Sequence, residues 1–204
     1  MAEPVKVKIC GLRDRDSAAV AVTAGADMLG VILCPARRQV TLDEAAVILA
    51  GAGEGVRKVG AFVDPDADEV RAAIDTIGLD IIQLSGDESP EFCNQFSIPV
   101  MKSFKATPRG VLPDPAPYPT GPIHLDAPGT VGGSGLAWDF SLARGIASER
   151  QVMMSGGLNA ENVADAIITV RPWAVDVSSG VETDGIKDPA LIRAFVETAR
   201  EMRF

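Results

Sequence analysis

The sequence predicts a single (β/α)8 barrel, the TIM-barrel architecture, occupying residues 1–204 as one domain. Three observations point there. Eight short apolar runs recur at fairly even intervals, Ala-rich amphipathic segments with helix-capping residues lie between them, and the length suits one domain. Strand and helix repeated with right-handed crossovers close either a barrel or a doubly wound open sheet. Eight units in 204 residues favour the barrel.

The predicted strands are Val5–Cys10, Met28–Leu33, Lys58–Val63, Asp80–Leu84, Val100–Phe104, Ile123–Asp126, Val152–Ser155 and Ala174–Ser178. Most are near-continuous apolar stretches, as parallel strands covered on both faces require. Gly25 and Gly78 stand where helices should stop. Thr41 and Glu44 form a capping box before Ala45–Leu49. Ser89–Pro90 and Asp188–Pro189 each pair an N-cap residue with a proline at the first helical position. Asn159 is expected to open a helix that carries Val163, Ile167 and Val170 on one face. The connection after the fifth strand is the irregular one. Thr107–Pro122 holds Pro108, Pro113, Pro115, Pro117, Pro119 and Pro122, which forbids a regular helix.

Composition narrows the partners. The chain is 47% hydrophobic, enough for a large core, and its formal charge is −9. That balance argues against nucleic acid, whose phosphates need clustered Lys and Arg. It does not exclude a small anionic ligand held by a few aimed groups. No export signal or membrane-spanning run is expected, so no membrane partner is either. The odd, scattered cysteines Cys10, Cys34 and Cys93 fit reduced thiols in the cytoplasm.

In this architecture chemistry collects at the carboxyl ends of the strands. Those ends carry Cys10, Cys34, Asp64, Ser85, Lys105, Asp126, Ser155 and Ser178. Glycine and serine are dense after the later strands, in Gly132-Gly133-Ser134-Gly135, Ser155-Gly156-Gly157 and Ser178-Ser179-Gly180. Glycine lets backbone N–H groups approach a ligand closely, and loops after strands seven and eight are the usual phosphate cradle of such barrels. Gly133, Gly135, Ser155, Gly156, Gly157, Ser178 and Ser179 are the phosphate-binding candidates. A single such loop would read equally well as a tight turn; the succession favours phosphate.

These strings, taken in order, resemble the phosphoribosylanthranilate isomerase family. The resemblance is carried by Lys8-Ile9-Cys10-Gly11, Ala36-Arg37-Arg38-Gln39-Val40, Val59-Gly60-Ala61-Phe62-Val63 and Gln83-Leu84-Ser85-Gly86. It continues through Leu125-Asp126, Ser155-Gly156-Gly157-Leu158 and the run Val175-Asp176-Val177-Ser178-Ser179-Gly180-Val181-Glu182. It implies a cofactor-free, metal-free isomerase of tryptophan biosynthesis that performs an Amadori rearrangement on a small phosphoribosyl substrate. Cys10 is then the general base and Asp126 the general acid. Arg38 pairs with the anthranilate carboxylate, which its planar fork suits. Asp176 either bonds ribose hydroxyls or only orients the turn after the eighth strand.

The chemistry sets conditions on these groups. Asp126 must be protonated when it acts, so burial or a nearby phosphate is expected to raise its pKa. Cys10 must act partly as thiolate, and a helix starting just after Gly11 is expected to help. His124 should share the inward face of Asp126 and either tunes that acid or simply packs. Two positions depart from the family pattern: Ser85 stands where a histidine is usual, and Ala36 where a serine is usual. They keep open a related phosphosugar isomerase with another substrate, or a non-catalytic phosphoribosyl-ligand binder. A monomer or a homodimer fits equally.

Overall fold

In the computed structural model, which describes residues 4–106, 114–119, 121–127 and 139–203, the strands close a barrel in simple sequence order. They are β1 (Lys6–Ile9), β2 (Met28–Ile32), β3 (Arg57–Phe62), β4 (Ile81–Leu84), β5 (Val100–Lys105), β6 (Ile123–Asp126), β7 (Val152–Met154) and β8 (Ala174–Val177). Every neighbouring pair is parallel, and β8 returns to β1 with Lys6 opposite Ala174 and Lys8 opposite Asp176. Each strand falls within a residue or two of its predicted run. Closure removes sheet edges, and helices around the ring cover the outer face.

The helices are α1 (Arg15–Ala24), α2 (Leu42–Leu49), α3 (Ala67–Ala73), α4 (Pro90–Cys93), α5 (Arg144–Ala147), α6 (Val163–Val170) and α7 (Pro189–Glu201). Local chemistry explains their ends. Gly25 closes α1 in a left-handed conformation at φ 97°. Thr41 and Glu44 make the reciprocal capping box of α2. Asp66 and Glu69 make another at α3, which runs into a π-helical turn over Ile74–Gly78. Ser89 and Asp188 cap α4 and α7, each followed by proline. Val163, Ile167 and Val170 are buried along one face of α6. Asn159 does not begin that helix. Its side chain accepts the N–H groups of Glu161 and Asn162, forming the turn that leads into it. Between β5 and β6 the described residues hold only a turn, closed by Tyr118 N–H to the Pro115 carbonyl. The proline expectation holds for that part; the rest lies outside the described residues. None of the described helices is long and apolar enough to cross a membrane.

Two apolar clusters divide the interior. The larger fills the space between strands and helices. The smaller comprises Met28, Val59, Ile81, Met101, Met153 and Ala174, inward-facing side chains that plug the barrel near its amino-terminal end. Above that plug the inward side chains become polar. The functional site begins there.

Candidate active site

The period of a strand places every second residue on the inner face. One step above the plug stand Lys8, Gln83, Ser103, His124 and Asp176, all buried. They form a continuous hydrogen-bonded layer. Gln83 Nε2 donates to Ser85 Oγ at 3.3 Å, and Lys8 Nζ donates to Gln83 Oε1 at 3.0 Å and to Asp176 Oδ2 at 3.1 Å. His124 Nε2 lies 3.1 Å from the same Asp176 oxygen, and His124 Nδ1 lies 2.8 Å from Ser103 Oγ. The other oxygen of Asp176, Oδ1, is buried without a hydrogen-bond partner among the described residues. His124 thus shares the inward face with Asp126 as expected, but its ring nitrogens bond to Ser103 and Asp176 instead of to the acid.

Over this layer opens a cavity of about 1110 Å³. Cys10, Cys34, Ser85, Lys105, Asp126, Ser155 and Ser178 all reach its wall, so most strand-end candidates converge there. Asp64 is different. It sits at φ 46° and accepts the Asp87 N–H, bracing the β3 and β4 ends together with Glu88. Glu88 is itself held by a buried ion pair with Lys102 at 2.9 Å.

Cys10 and Asp126 face the same cavity from β1 and β6, with β7 and β8 between them around the ring. The Cys10 thiol is buried. Burial is the largest influence on it and pushes its pKa up, Lys8 pulls the other way, and Asp176 adds to the rise. The helix expected to assist this sulfur starts only at Arg15, beyond Leu12–Asp14, with Asp14 as its cap. The nearby positive charge comes instead from a buried lysine. Asp126 is half-buried. Its Oδ1 accepts the Ala127 N–H at 2.8 Å and the Ser155 hydroxyl at 3.0 Å, which fixes the carboxyl plane.

The Lys8–Asp176 pair is charged. Burial opposes charge on both groups, yet Asp176 and Cys10 hold the Lys8 pKa above its ordinary value. Lys8 and His124 likewise keep that of Asp176 below its own.

Arg38 also lines the cavity, but its guanidinium is already engaged. Nε and Nη2 grip Glu182 at 2.6 and 2.8 Å. Glu182, just after β8, also takes Arg37 Nη2 at 2.7 Å and the buried Lys187 Nζ at 2.8 Å. These cations outweigh burial and bring the Glu182 carboxyl down to about 2. Lys187 also donates to the Ser178 carbonyl at 2.8 Å. The hairpin of β9 (Glu182–Thr183) and β10 (Ile186–Lys187) sets these two residues opposite each other.

The glycine loops after β7 and β8 pack backbone to backbone. Gly156 has φ 90°, and a Cβ there would overlap the Ala127 backbone. A Cβ on Gly180 would overlap the Leu158 carbonyl. Ser155, Gly156, Gly157, Ser178 and Ser179 all line the cavity. Gly133 and Gly135 lie outside the described residues. Sequence reading missed Lys8, Gln83, Ser103, Glu182 and Lys187 as members of the site.

A buried thiol and an oriented carboxyl share one cavity at the carboxyl end of a (β/α)8 barrel, above a charged polar floor. That arrangement defines the class: a barrel enzyme equipped for acid–base chemistry on a small ligand. Comparison with known proteins fixes the family. Residues 7–198 match the model of the N-(5'-phosphoribosyl)anthranilate isomerase family. A relative of that name from Listeria monocytogenes is 45% identical over 95% of this chain and 98% of its own. One from Desulforudis audaxviator is 44% identical over 96% and 98%. Among solved structures, phosphoribosyl anthranilate isomerase from Thermus thermophilus superposes with a TM-score of 0.88 at 33% identity, covering 98% of this chain and all of that one. A phosphoribosyl anthranilate isomerase in complex with reduced 1-(o-carboxyphenylamino)-1-deoxyribulose 5-phosphate gives 0.82 at 32% identity, covering 97% and 100%. This chain belongs to the phosphoribosylanthranilate isomerase family.

Proposed function

We propose that Cys10 and Asp126 are the proton-transfer pair with which this isomerase of tryptophan biosynthesis converts N-(5-phosphoribosyl)anthranilate into 1-(2-carboxyphenylamino)-1-deoxyribulose 5-phosphate. The observation that carries the assignment is their shared cavity. Asp126 gives its proton to the furanose ring oxygen. The C1–O bond breaks, and the nitrogen lone pair closes a C1=N iminium. Cys10 thiolate then takes the C2 proton, which the iminium has acidified, and the C2–H electron pair moves to give an enolamine. Its enol at C2 tautomerises to the ketone. No net redox change occurs.

The remaining residues hold the substrate. Ser155, Gly156, Gly157, Ser178 and Ser179 form the phosphate cradle together with Gly133 and Gly135. Asp176 Oδ1, without a partner among the described residues, is an acceptor suited to a ribose hydroxyl. Arg38 takes the anthranilate carboxylate on the guanidinium edge that Glu182 leaves open. The enzyme works in the cytoplasm. Its oligomeric state is that of a monomer or a homodimer; a Thermotoga maritima relative is described as dimeric.

The gene should restore growth of a tryptophan auxotroph lacking this isomerase, and purified protein should turn over the substrate. Cys10→Ser and Asp126→Asn should each lose orders of magnitude in kcat with an unchanged circular dichroism spectrum. Near-native turnover by either folded variant would remove that residue from its role.

A further inference from the structure

Lys8 is fully buried, and an ammonium group carries three N–H donors that a dry site must satisfy. Two go sideways, to Gln83 on β4 and Asp176 on β8. Cys10 stands two residues further along the same inward face, with its sulfur beside the ammonium. Gly30 on β2 gives room for this approach. A Cβ there would lie 3.0 Å from Lys8 Cε, 3.1 Å from Cys10 Sγ and 3.2 Å from Lys8 Nζ. Sulfur and ammonium therefore press against the same bare stretch of backbone.

We propose that Lys8 is a positioning residue of the isomerase reaction, its ammonium packed beside the Cys10 sulfur beneath the substrate so that the thiolate becomes easier to form. Burial favours the neutral thiol, so a compensating cation is needed within contact distance. The groups around the sulfur divide by sign. Lys8 on β1 and Lys187 on β10 favour the thiolate, and Asp176 on β8 opposes it. Cys34, beyond β2, is a second buried thiol close enough for a charged Cys10 to raise its pKa. Arg38 and Glu182 neutralise each other, and Glu182 also takes Lys187, so neither cation is as free to act on the sulfur as Lys8. His124 on β6 bonds to Asp176 and acts on Cys10 only through it.

The proposal rests on Cys10 being the base, but its test does not need turnover. The rate of Cys10 alkylation by iodoacetamide is measured against pH without substrate, and peptide mass mapping separates Cys10 from Cys34. The thiolate fraction falls about tenfold for each unit by which the titration midpoint rises above the working pH. Lys8→Met should move the alkylation midpoint up by at least about one pH unit and slow alkylation about tenfold or more at neutral pH. Asp176→Asn, which removes the opposing anion, should move it down. A structural role for Lys8 would not produce shifts of opposite sign. Midpoints that stay at the wild-type value, or that move the same way in both variants, overturn the proposal. Should Lys8→Met fail to fold, Lys8→Gln takes its place: an upward shift supports the proposal, and an unchanged or downward one ends it. Full turnover by Cys10→Ser would instead remove the base assignment and leave the alkylation result to be judged by itself.

Discussion

Glu182 is the residue at which the site's stability can be measured most directly. It accepts from Arg37, Arg38 and Lys187 at once, and its side chain is only 4% exposed. A carboxyl held at about 2 rather than 4.5 contributes up to roughly 3 kcal/mol of folding free energy, because each unit is worth about 1.4 kcal/mol. Water in the adjoining cavity screens part of this and leaves about 2 kcal/mol. Glu182→Gln keeps the shape but strips Lys187 of its counter-ion inside the protein. At neutral pH the variant should lose about 2 kcal/mol, seen as a melting temperature lower by roughly 4–8 °C for a domain of this size. The effect must depend on pH with a definite sign. The carboxylate's contribution is fully present above its unfolded value near 4.5 and disappears as pH falls through about 2, so by about pH 3 more than half is gone. Urea denaturation of both proteins at pH 7 and pH 3 tests this. A stability gap that is the same at both values, or absent at pH 7, would refute the idea that Glu182 acts as an ionised clamp.

Three further outcomes follow from the same geometry. Arg38→Ala should raise KM about tenfold to a hundredfold with a smaller change in kcat, as loss of a charge-assisted contact predicts, and an unchanged KM would exclude its role with the carboxylate. Gly156→Ala should cost about 1–3 kcal/mol, since a Cβ at φ 90° meets the Ala127 backbone, and should weaken the protection that inorganic phosphate gives against thermal unfolding. Met153→Ala in the apolar plug should cost about 2–5 kcal/mol in chemical denaturation while KM measured below the transition stays near wild type.

The strands were legible because parallel strands covered on both faces must be apolar throughout, and Ile81–Leu84 or Val152–Met154 can be little else. Helix ends were legible where a cap is chemical, as at Thr41, Ser89 and Asp188, and less so at Asn159, where an Asx turn precedes the helix. The polar floor was read only in part. Asp176 and His124 were singled out, but Lys8, Gln83 and Ser103 are single polar residues inside apolar runs and look like interruptions. The signal was present in the alternation: each stands two residues before an expected strand-end group, Cys10, Ser85, Lys105, Asp126 and Ser178, and so must share its inward face. No comparable rule leads to Glu182 and Lys187. Their meeting with Arg38 depends on a short hairpin folding back across the mouth of the barrel, a tertiary fact that strand periodicity does not contain.

That crossing explains why glycine follows Cys10, the proposed base. The β2 loop with Arg38 and the β8 loop with Ser178 are not neighbours in the ring, because β1 lies between them. Any link between them must pass over the residue after Cys10. Gly11 adopts φ 70°, and a Cβ there would lie 2.6 Å from Arg38 Cδ and 3.0 Å from Ser178 Oγ. The two loops therefore close over bare backbone, and Glu182 joins them by gripping Arg38 on one side while sharing Lys187 with Ser178 on the other. A side chain at position 11 would push Arg38 and Ser178 apart, and with them the two loops proposed to hold the ends of the substrate over the Cys10 sulfur. On the proposed roles the Cys-Gly pair does two jobs: its first residue carries the chemistry, and its second brings together the loops assigned to hold the substrate in place for it.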